Sequence, residues 1–205
     1  MQKIEAVLFD WGGVLIDNPA PALMRYCAEA LGVSVDRYTR AHDRHAEAFQ
    51  TGVVGEEEFW RRVCGQLGRT PPQGRSLWGR AFRAVYSPRG EVFALAQRLH
   101  DDGCKVGLLS NTEAPSMEFF QELRYAMFDA AVFSCAEGHC KPEREIYEIA
   151  TRRVRAVPGQ CVLIDDRPSF AEGARRANMQ GIVYESLPQV RRELIALGIR
   201  GLEVP

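Results

Sequence analysis

Ala6-Val7-Leu8-Phe9-Asp10-Trp11-Gly12-Gly13-Val14-Leu15 decides the architecture. An apolar run of strand length ends on a carboxylate, two glycines free the backbone to bend, and an apolar pair resumes beyond them. The strand predicted here spans residues 4–9. Four further runs have the same build, apolar and rich in β-branched residues up to a polar or glycine stop: Lys105 to Leu109, Ala131 to Ser134, Cys161 to Ile164 and Ile182 to Tyr184. Near-continuous apolar character predicts burial on both faces, as in a parallel sheet covered by helices. Between the strands, Val92, Leu95, Ala96 and Leu99 form a helical stripe that stops at Gly103, and Ile146, Ile149, Ala150 and Val154 form another, with Pro142 expected in its first turn. Two more helices are predicted over about 168–179 and 188–197. Alternating strands and helices imply a doubly wound α/β fold with a parallel five-stranded sheet, a Rossmann-like core.

Residues 18–88 break this alternation. They read as helical throughout, with helices over 20–31, 36–50, 56–67 and 77–86 separated by Gly32, Gly52, Gly55 and the turn Thr70-Pro71-Pro72. The expected organisation is a core of residues 1–17 and 89–205 carrying an inserted helical cap, 18–88. A chain of 205 residues, 46% hydrophobic and 26% charged, affords that core and excludes disordered and collagen-like classes. A net charge of -1 gives no ground for nucleic-acid or membrane partners. Residues 18–90 nevertheless hold 11 Arg, no Lys and 7 acidic residues, a surplus of four positive charges that suggests an anionic ligand. No apolar run approaches the roughly 18 residues of a membrane span and no signal-peptide pattern precedes the first strand, so the expected location is the cytoplasm. The six cysteines form no CxxC pair, and Cys135, His139 and Cys140 fit no common zinc spacing.

Four polar clusters fall where open α/β sheets bind ligands, just after strands or in a loop leading into a helix. They are Asp10-Trp11-Gly12-Gly13, Ser110-Asn111-Thr112, Lys141-Pro142-Glu143 and Asp165-Asp166-Arg167. Each alone has a bland reading: a turn aspartate, helix caps, a solvated lysine. Their joint occurrence is what carries information. Lysine is also scarce, with only Lys3, Lys105 and Lys141 beside 23 arginines, so a lysine before a proline at a strand-to-helix mouth stands out.

Together, and in this order, the clusters resemble the haloacid dehalogenase-like hydrolase superfamily. The likeness runs nearly the whole length, and residues 18–88 fall where members with the first cap type carry their helical insert. The motifs are most similar to those of glucose-1-phosphate phosphatases and of the phosphatase domain of soluble epoxide hydrolases. The resemblance implies a magnesium-dependent phosphatase of small phosphorylated metabolites, such as sugar phosphates. Asp10 would be the nucleophile that forms an aspartyl-phosphate. Asp10, Asp166 and the backbone carbonyl of Gly12 would hold Mg2+. Lys141 would supply positive charge, which is needed because unit charges 4 Å apart interact by about 4 kcal/mol at an effective dielectric of 20. Ser110, with the backbone N–H groups of Trp11 and Asn111, would hold the phosphoryl oxygens. Asp165 would orient Lys141.

One position departs from the pattern. Phosphatases of this superfamily carry a second aspartate two residues after the nucleophile, as proton donor to the leaving alcohol, and this chain has Gly12. General acid–base catalysis is worth about 10²- to 10⁴-fold. Three readings follow: a phosphatase favouring leaving groups that need little protonation or borrowing an acid from the insert (Asp17, His42, Asp43, His45 or Glu47); a 2-haloacid dehalogenase, since halide leaves without a proton; or a phosphometabolite-binding protein with weakened turnover. His42 and His45 also read as a wet helix face. Substrate choice is expected to lie with Trp11, Tyr26, Phe49, Phe59, Trp60, Arg44 and Arg61, most of the aromatics being packing. Arg167 is expected to pair with Asp165 or Glu172.

Overall fold

The computed structural model describes residues 3–202. All five predicted strands are present: β1 (Ala6–Phe9), β2 (Lys105–Ser110), β3 (Ala130–Phe133), β4 (Cys161–Asp165) and β5 (Gln180–Val183). They pair in parallel in the order β3-β2-β1-β4-β5. The chain runs outward from β1 to β3 on one side, then returns to place β4 on the other side of β1. The crevice between β1 and β4 is therefore the switch point at which such sheets bind ligands. In register, Phe9 lies beside both Leu108 and Ile164, so Asp10, Ser110 and Asp165 emerge together at the carboxyl edge.

Alternation within β1 divides the interior into two layers. Val7 and Phe9 join Val106, Leu108, Val162 and Ile164 on one face, whereas Ala6 and Leu8 join Leu109, Val132 and Leu163 on the other. The second face is closed by α9 (Arg144–Arg153), through Ile146, Tyr147 and Ala150, and by α10 (Pro168–Arg176), through Ala174.

Five helices lie between β1 and β2 before the core resumes: α1 (Ala20–Ala30), α2 (Val35–Asp43), α3 (Ala46–Gln50), α4 (Glu56–Leu67) and α5 (Leu77–Val85). The boundaries of α4 match expectation because its signals agree. Three glutamates occupy its positive N-terminal turn, Phe59, Trp60, Val63, Cys64 and Leu67 make one buried stripe, and Gly68 ends it with φ +65°. The single helix expected over 36–50 is broken at Arg44 and His45, where the His45 N–H closes a tighter turn on the carbonyl of His42 (2.8 Å). The break directs Phe49 onto Phe59 (ring centroids 4.3 Å apart) and Gln50 toward the core.

The remaining helices are α6 (Gly90–Asp101), α7 (Ala114–Leu123), the short α8 (Ser134–Glu137) and α11 (Leu187–Ala196). Sequence periodicity missed α7, because its buried face consists of Pro115, Ser116 and Phe120 rather than an aliphatic stripe. Pro142 does not lie in the first turn of α9, which begins at Arg144 after Glu143. It belongs to the preceding turn, closed by Glu143 N–H on the Cys140 carbonyl (2.8 Å), which presents Lys141 to the sheet. No helix among the described residues is long and apolar enough to cross a membrane.

Candidate active site

The carboxyl edge of the sheet opens into a cavity of about 400 Å³ lined from both sides, by strand-end loops below and by α1, α2, α3 and α5 above. This size lies within the usual range for small-molecule sites. Asp10, Trp11, Gly12, Ser110, Asn111, Lys141 and Asp166 all line it. Residues from all four clusters thus meet in one place, with Asp165 bound to Lys141 beside them.

Lys141 is the electrostatic centre. Its Nζ donates to Asp165 Oδ2 (2.5 Å) and to the Leu109 carbonyl (2.9 Å), and lies 2.9 Å from Asp10 Oδ1. The three ammonium protons therefore have three acceptors. Burial alone would lower its pKa, yet Asp10 and Asp165 together hold it above the ordinary lysine value, so it remains a cation. The backbone of Lys141 is clamped in turn by Asn111, whose Oδ1 accepts from Lys141 N–H (2.8 Å) and whose Nδ2 donates to its carbonyl (2.9 Å). The Asn111 side chain is thereby committed to positioning Lys141.

Asp165 is fully buried and both its oxygens are occupied, Oδ2 by Lys141 and Oδ1 by the Arg167 N–H (2.9 Å). The expected ion pair of Arg167 does not form with Asp165 or Glu172. The guanidinium instead lies over the Phe170 ring (4.3 Å), and Glu172 pairs with Arg175.

Burial pushes the Asp10 carboxyl well above the usual carboxylate range, and Lys141 pulls against it. Asp166 is half-buried and is raised by burial and by Asp165. One carboxylate oxygen of each of Asp10, Asp165 and Asp166 lies within 4.8 Å of the others. Such hard oxygen donors suit Mg2+. Gly13 shows how tightly the loop approaches this group: with φ +89°, a Cβ there would stand 2.2 Å from Asp166 Oδ2. With both Asp165 oxygens engaged, Asp10 and Asp166 are the carboxylates of this group that could hold a divalent cation.

The upper wall differs from expectation. Arg61 is paired with Glu58 on the surface and Arg44 is exposed at the end of α2, and neither lines the cavity. Phe49, Phe59 and Trp60 are buried in an aromatic cluster, and Tyr26 packs against the core without reaching the cavity. Of the five candidate proton donors, Asp17 is bound to Ser87 and Arg89, His45 to Gln66, Asp43 and Glu47 are exposed, and only His42 reaches the cavity. His42 is not on a wet face: it is 8% exposed and stacks flat on Trp78 (5.6 Å, 4°).

Sequence reasoning missed Glu113 and Gln50. Glu113 follows the Ser110-Asn111-Thr112 cluster directly, is 5% exposed, and lines the cavity. Its Oε1 accepts from Gln50 Nε2 (3.0 Å) and its Oε2 from Trp78 Nε1 (3.1 Å). An acidic residue one place beyond a recognised cluster was the available signal. Burial pushes its carboxyl from 4.5 up to about 7, the donors from Gln50 and Trp78 opposing only part of that.

This makes a stability prediction. Below pH 4.5 folded and unfolded chains both hold the proton. Between 4.5 and 7 only the folded chain does, so this group lowers stability as pH rises, by up to about 3 kcal/mol, with no further loss above 7. Glu113→Gln removes that slope, so urea unfolding should show the variant gaining on the wild type from pH 4.5 to 7.5. A stability difference that stays constant over that range would contradict it.

A profile of haloacid dehalogenase-like hydrolases matches residues 4–178. Among curated relatives, acyl-CoA dehydrogenase family member 10 of Mus musculus is 26% identical over 96% of this chain, which spans 19% of that protein. D-ribitol-5-phosphate phosphatase of Bacteroides thetaiotaomicron is 24% identical over 95% of this chain and 98% of its own length. Thus the chain spans about a fifth of one relative and nearly all of the other. Among solved structures, a haloacid dehalogenase family enzyme of Bacteroides thetaiotaomicron, in complex with magnesium and inorganic phosphate, superposes with a TM-score of 0.71 at 18% identity, over 91% of this chain and 98% of that one.

Proposed function

The chain belongs to the haloacid dehalogenase-like hydrolases, and we propose that within them it is a magnesium-dependent phosphatase of small phosphorylated metabolites, with Asp10 as nucleophile. The observation that carries this reading is the buried Asp10–Lys141–Asp165 array beside Asp166 at the switch point of the sheet. One cation sits among three carboxylates there, leaving the site rich in negative charge and suited to a divalent ion with a bound phosphoryl group. The phosphatase activity of the Bacteroides thetaiotaomicron relative supports the same class.

In this reading the ester's phosphoryl group lies over Asp10, its oxygens held by Ser110 Oγ and the backbone N–H groups of Trp11 and Asn111. An Asp10 carboxylate oxygen forms a bond to phosphorus as the phosphorus–oxygen bond to the alcohol breaks, and water then hydrolyses the aspartyl-phosphate to inorganic phosphate and free Asp10. Mg2+ held by Asp10, Asp166 and the Gly12 carbonyl would supply charge neutralisation between nucleophile and phosphate. Lys141, anchored by Asn111, fixes the Asp10 carboxylate, and Asp165 keeps Lys141 charged and aligned. Residues 18–88 serve as the cap that covers the alcohol part of the substrate, over a core of 1–17 and 89–205.

Gly12 puts no acid beside the leaving oxygen. The expected consequence is a steep dependence on the leaving group: p-nitrophenyl phosphate should exceed simple alkyl phosphates in kcat by about 10²-fold or more, the share usually carried by general acid catalysis. Phosphate release from a panel of esters, with magnesium and with EDTA, tests both points. Turnover that EDTA leaves unchanged would reject the metal requirement. Absence of release from any ester, together with chloride release from 2-chloropropionate, would replace the phosphatase reading by a dehalogenase one.

A further inference from the structure

Beyond the phosphoryl position the cavity changes character. Trp11 directly follows Asp10, and its ring lies 4.9 Å from that of Phe82 on α5, so apolar surface begins one residue from the nucleophile. At Gly12, where other phosphatases of the family carry an acid, a Cβ would stand 3.1 Å from Pro19 Cδ, so a proline ring closes the space over that backbone. Leu23 and Met24 of α1 and Trp78 of α5 complete the wall.

Few polar atoms on this side are available to a ligand. The lining residues from 18–88 include three polar ones, Asn18, His42 and Gln50, and no lysine or arginine. His42 Nδ1 is bonded to Asp43 (3.0 Å), and its Nε2, like the Trp11 indole nitrogen, is enclosed within the protein. What these two rings present to the cavity is therefore carbon. Gln50 Nε2 donates to Glu113 (3.0 Å), and Asn18 Oδ1 accepts from the Ala20 N–H (3.1 Å) at the exposed rim. The surplus arginines lie elsewhere, Arg37 on the Leu67 carbonyl, Arg69 on the Gly32 carbonyl and Arg83 on Glu122. Among the described residues, the wall formed by 18–88 thus offers a ligand two side-chain amides at most and no cation. A polyhydroxylated alcohol would give up its water there and regain few hydrogen bonds, whereas an alkyl chain loses nothing by leaving water.

We propose that Trp11, Leu23, Met24, Trp78 and Phe82 form an apolar pocket for the alcohol part of the ester, so that the site prefers phosphate monoesters of uncharged alkyl or alkenyl alcohols to sugar and polyol phosphates. This rests on the phosphatase reading and names the substrate class of the same site. It departs from the sugar phosphates that the strand-end motifs suggest, because those motifs hold the phosphoryl group while the alcohol meets residues 18–88. Met24 is half-buried, and its unbranched, flexible side chain adapts to chains of different shape. Arg167, the other cation in the lining besides Lys141, lies over Phe170 and acts on Asp166, so it belongs to the phosphoryl end.

The test measures kcat/KM, with magnesium, for ethyl, butyl and hexyl phosphate and for sorbitol 6-phosphate, which has the same six-carbon chain as the hexyl ester. Along the alkyl series the value should rise by about fourfold per methylene, the factor expected for burying each one. Hexyl phosphate should exceed sorbitol 6-phosphate by about tenfold or more. Hydroxyls on the chain withdraw electrons and make the polyol the better leaving group, so that preference cannot come from the chemical step. Met24→Gln, similar in length but polar, should lower the hexyl-to-ethyl ratio by about tenfold, and Met24→Leu should retain it. A merely structural role for Met24 would lower both esters together. An unchanged ratio in Met24→Gln, a flat alkyl series, or sorbitol 6-phosphate hydrolysed as well as hexyl phosphate would each overturn the apolar pocket and leave the phosphatase reading intact. If no ester is turned over, the phosphatase reading falls instead, and calorimetry decides the pocket: hexyl phosphate bound about 10²-fold more tightly than ethyl phosphate supports it, and equal affinities overturn it.

Discussion

Asp10→Asn is expected to reduce phosphate release by about 10⁴-fold or more, since an amide oxygen does not act as the attacking nucleophile and single removals from a catalytic unit commonly cost on that scale. Folding should not suffer. Asp10 is 6% exposed, and burial opposes its ionisation, so the neutral isostere avoids a desolvation cost that the carboxylate bears. The asparagine oxygen can still accept from Lys141 Nζ at the 2.9 Å position. The expected pair of results is therefore lost turnover with a melting temperature at or above that of the wild type. Residual activity above a tenth of the wild type would remove Asp10 from the nucleophile's role. A collapse in melting temperature would show that the Asp10–Lys141 pair is structural first.

Lys141→Met should have the largest effect on stability. Methionine fills a similar volume but leaves Asp10 and Asp165, both buried, with no cation between them. Breaking a buried pair by removing one partner typically costs about 3–5 kcal/mol, because the remaining charge is uncompensated. The chain can escape only by binding protons. Without Lys141 the Asp10 carboxyl rises further above its unfolded value, so the deficit should be small below the ordinary carboxylate range and grow as pH rises through neutrality. Urea unfolding at pH 5 and pH 8 reads this directly, the gap to the wild type being wider at pH 8. Adding Asp165→Asn should recover part of the lost stability and none of the turnover. A Lys141→Met protein as stable as the wild type at pH 8 would show that the array is neutralised in some other way.

Most of the lower half of the site was legible because each of its residues is tied to a strand end. A strand that stops at Phe9 must deliver Asp10 at the sheet edge, and parallel pairing with Leu108 and Ile164 then brings Ser110 and Asp165 level with it. The order β3-β2-β1-β4-β5 sets two outward runs on either side of β1, and it turns four separated clusters into one crevice. Lys141 was conspicuous for its rarity and for the proline that follows it. What sequence did not reveal is the clamp from Asn111, a side-chain contact across 30 positions that neither residue's neighbours announce.

The upper half was misread for the same physical reason in each instance. The arginine surplus of residues 18–88 suggested an anion-binding cap, but a sum of charges does not record which face each one occupies, and the arginines took carbonyls and glutamates on the outside. His42 read as part of a wet helix face, yet stacking on Trp78, 36 positions away, buries it. Glu113 was passed over because nothing in its immediate neighbours marks it, whereas Gln50 and Trp78 reach across from α3 and α5 to hold it inside.

By itself, then, the amino-acid sequence determined the strand-and-helix alternation, the parallel sheet, the helical insert and the identity of the residues at the carboxyl edge, because these depend on periodicity and on short-range turn chemistry. Tertiary structure alone decided which polar residues face the cavity from above, which oxygens remain free for a cation once Lys141 and Arg167 N–H have taken both of those on Asp165, and how far burial raises Glu113. Those properties arise from contacts between distant segments and from exclusion of water, neither of which is written in local sequence.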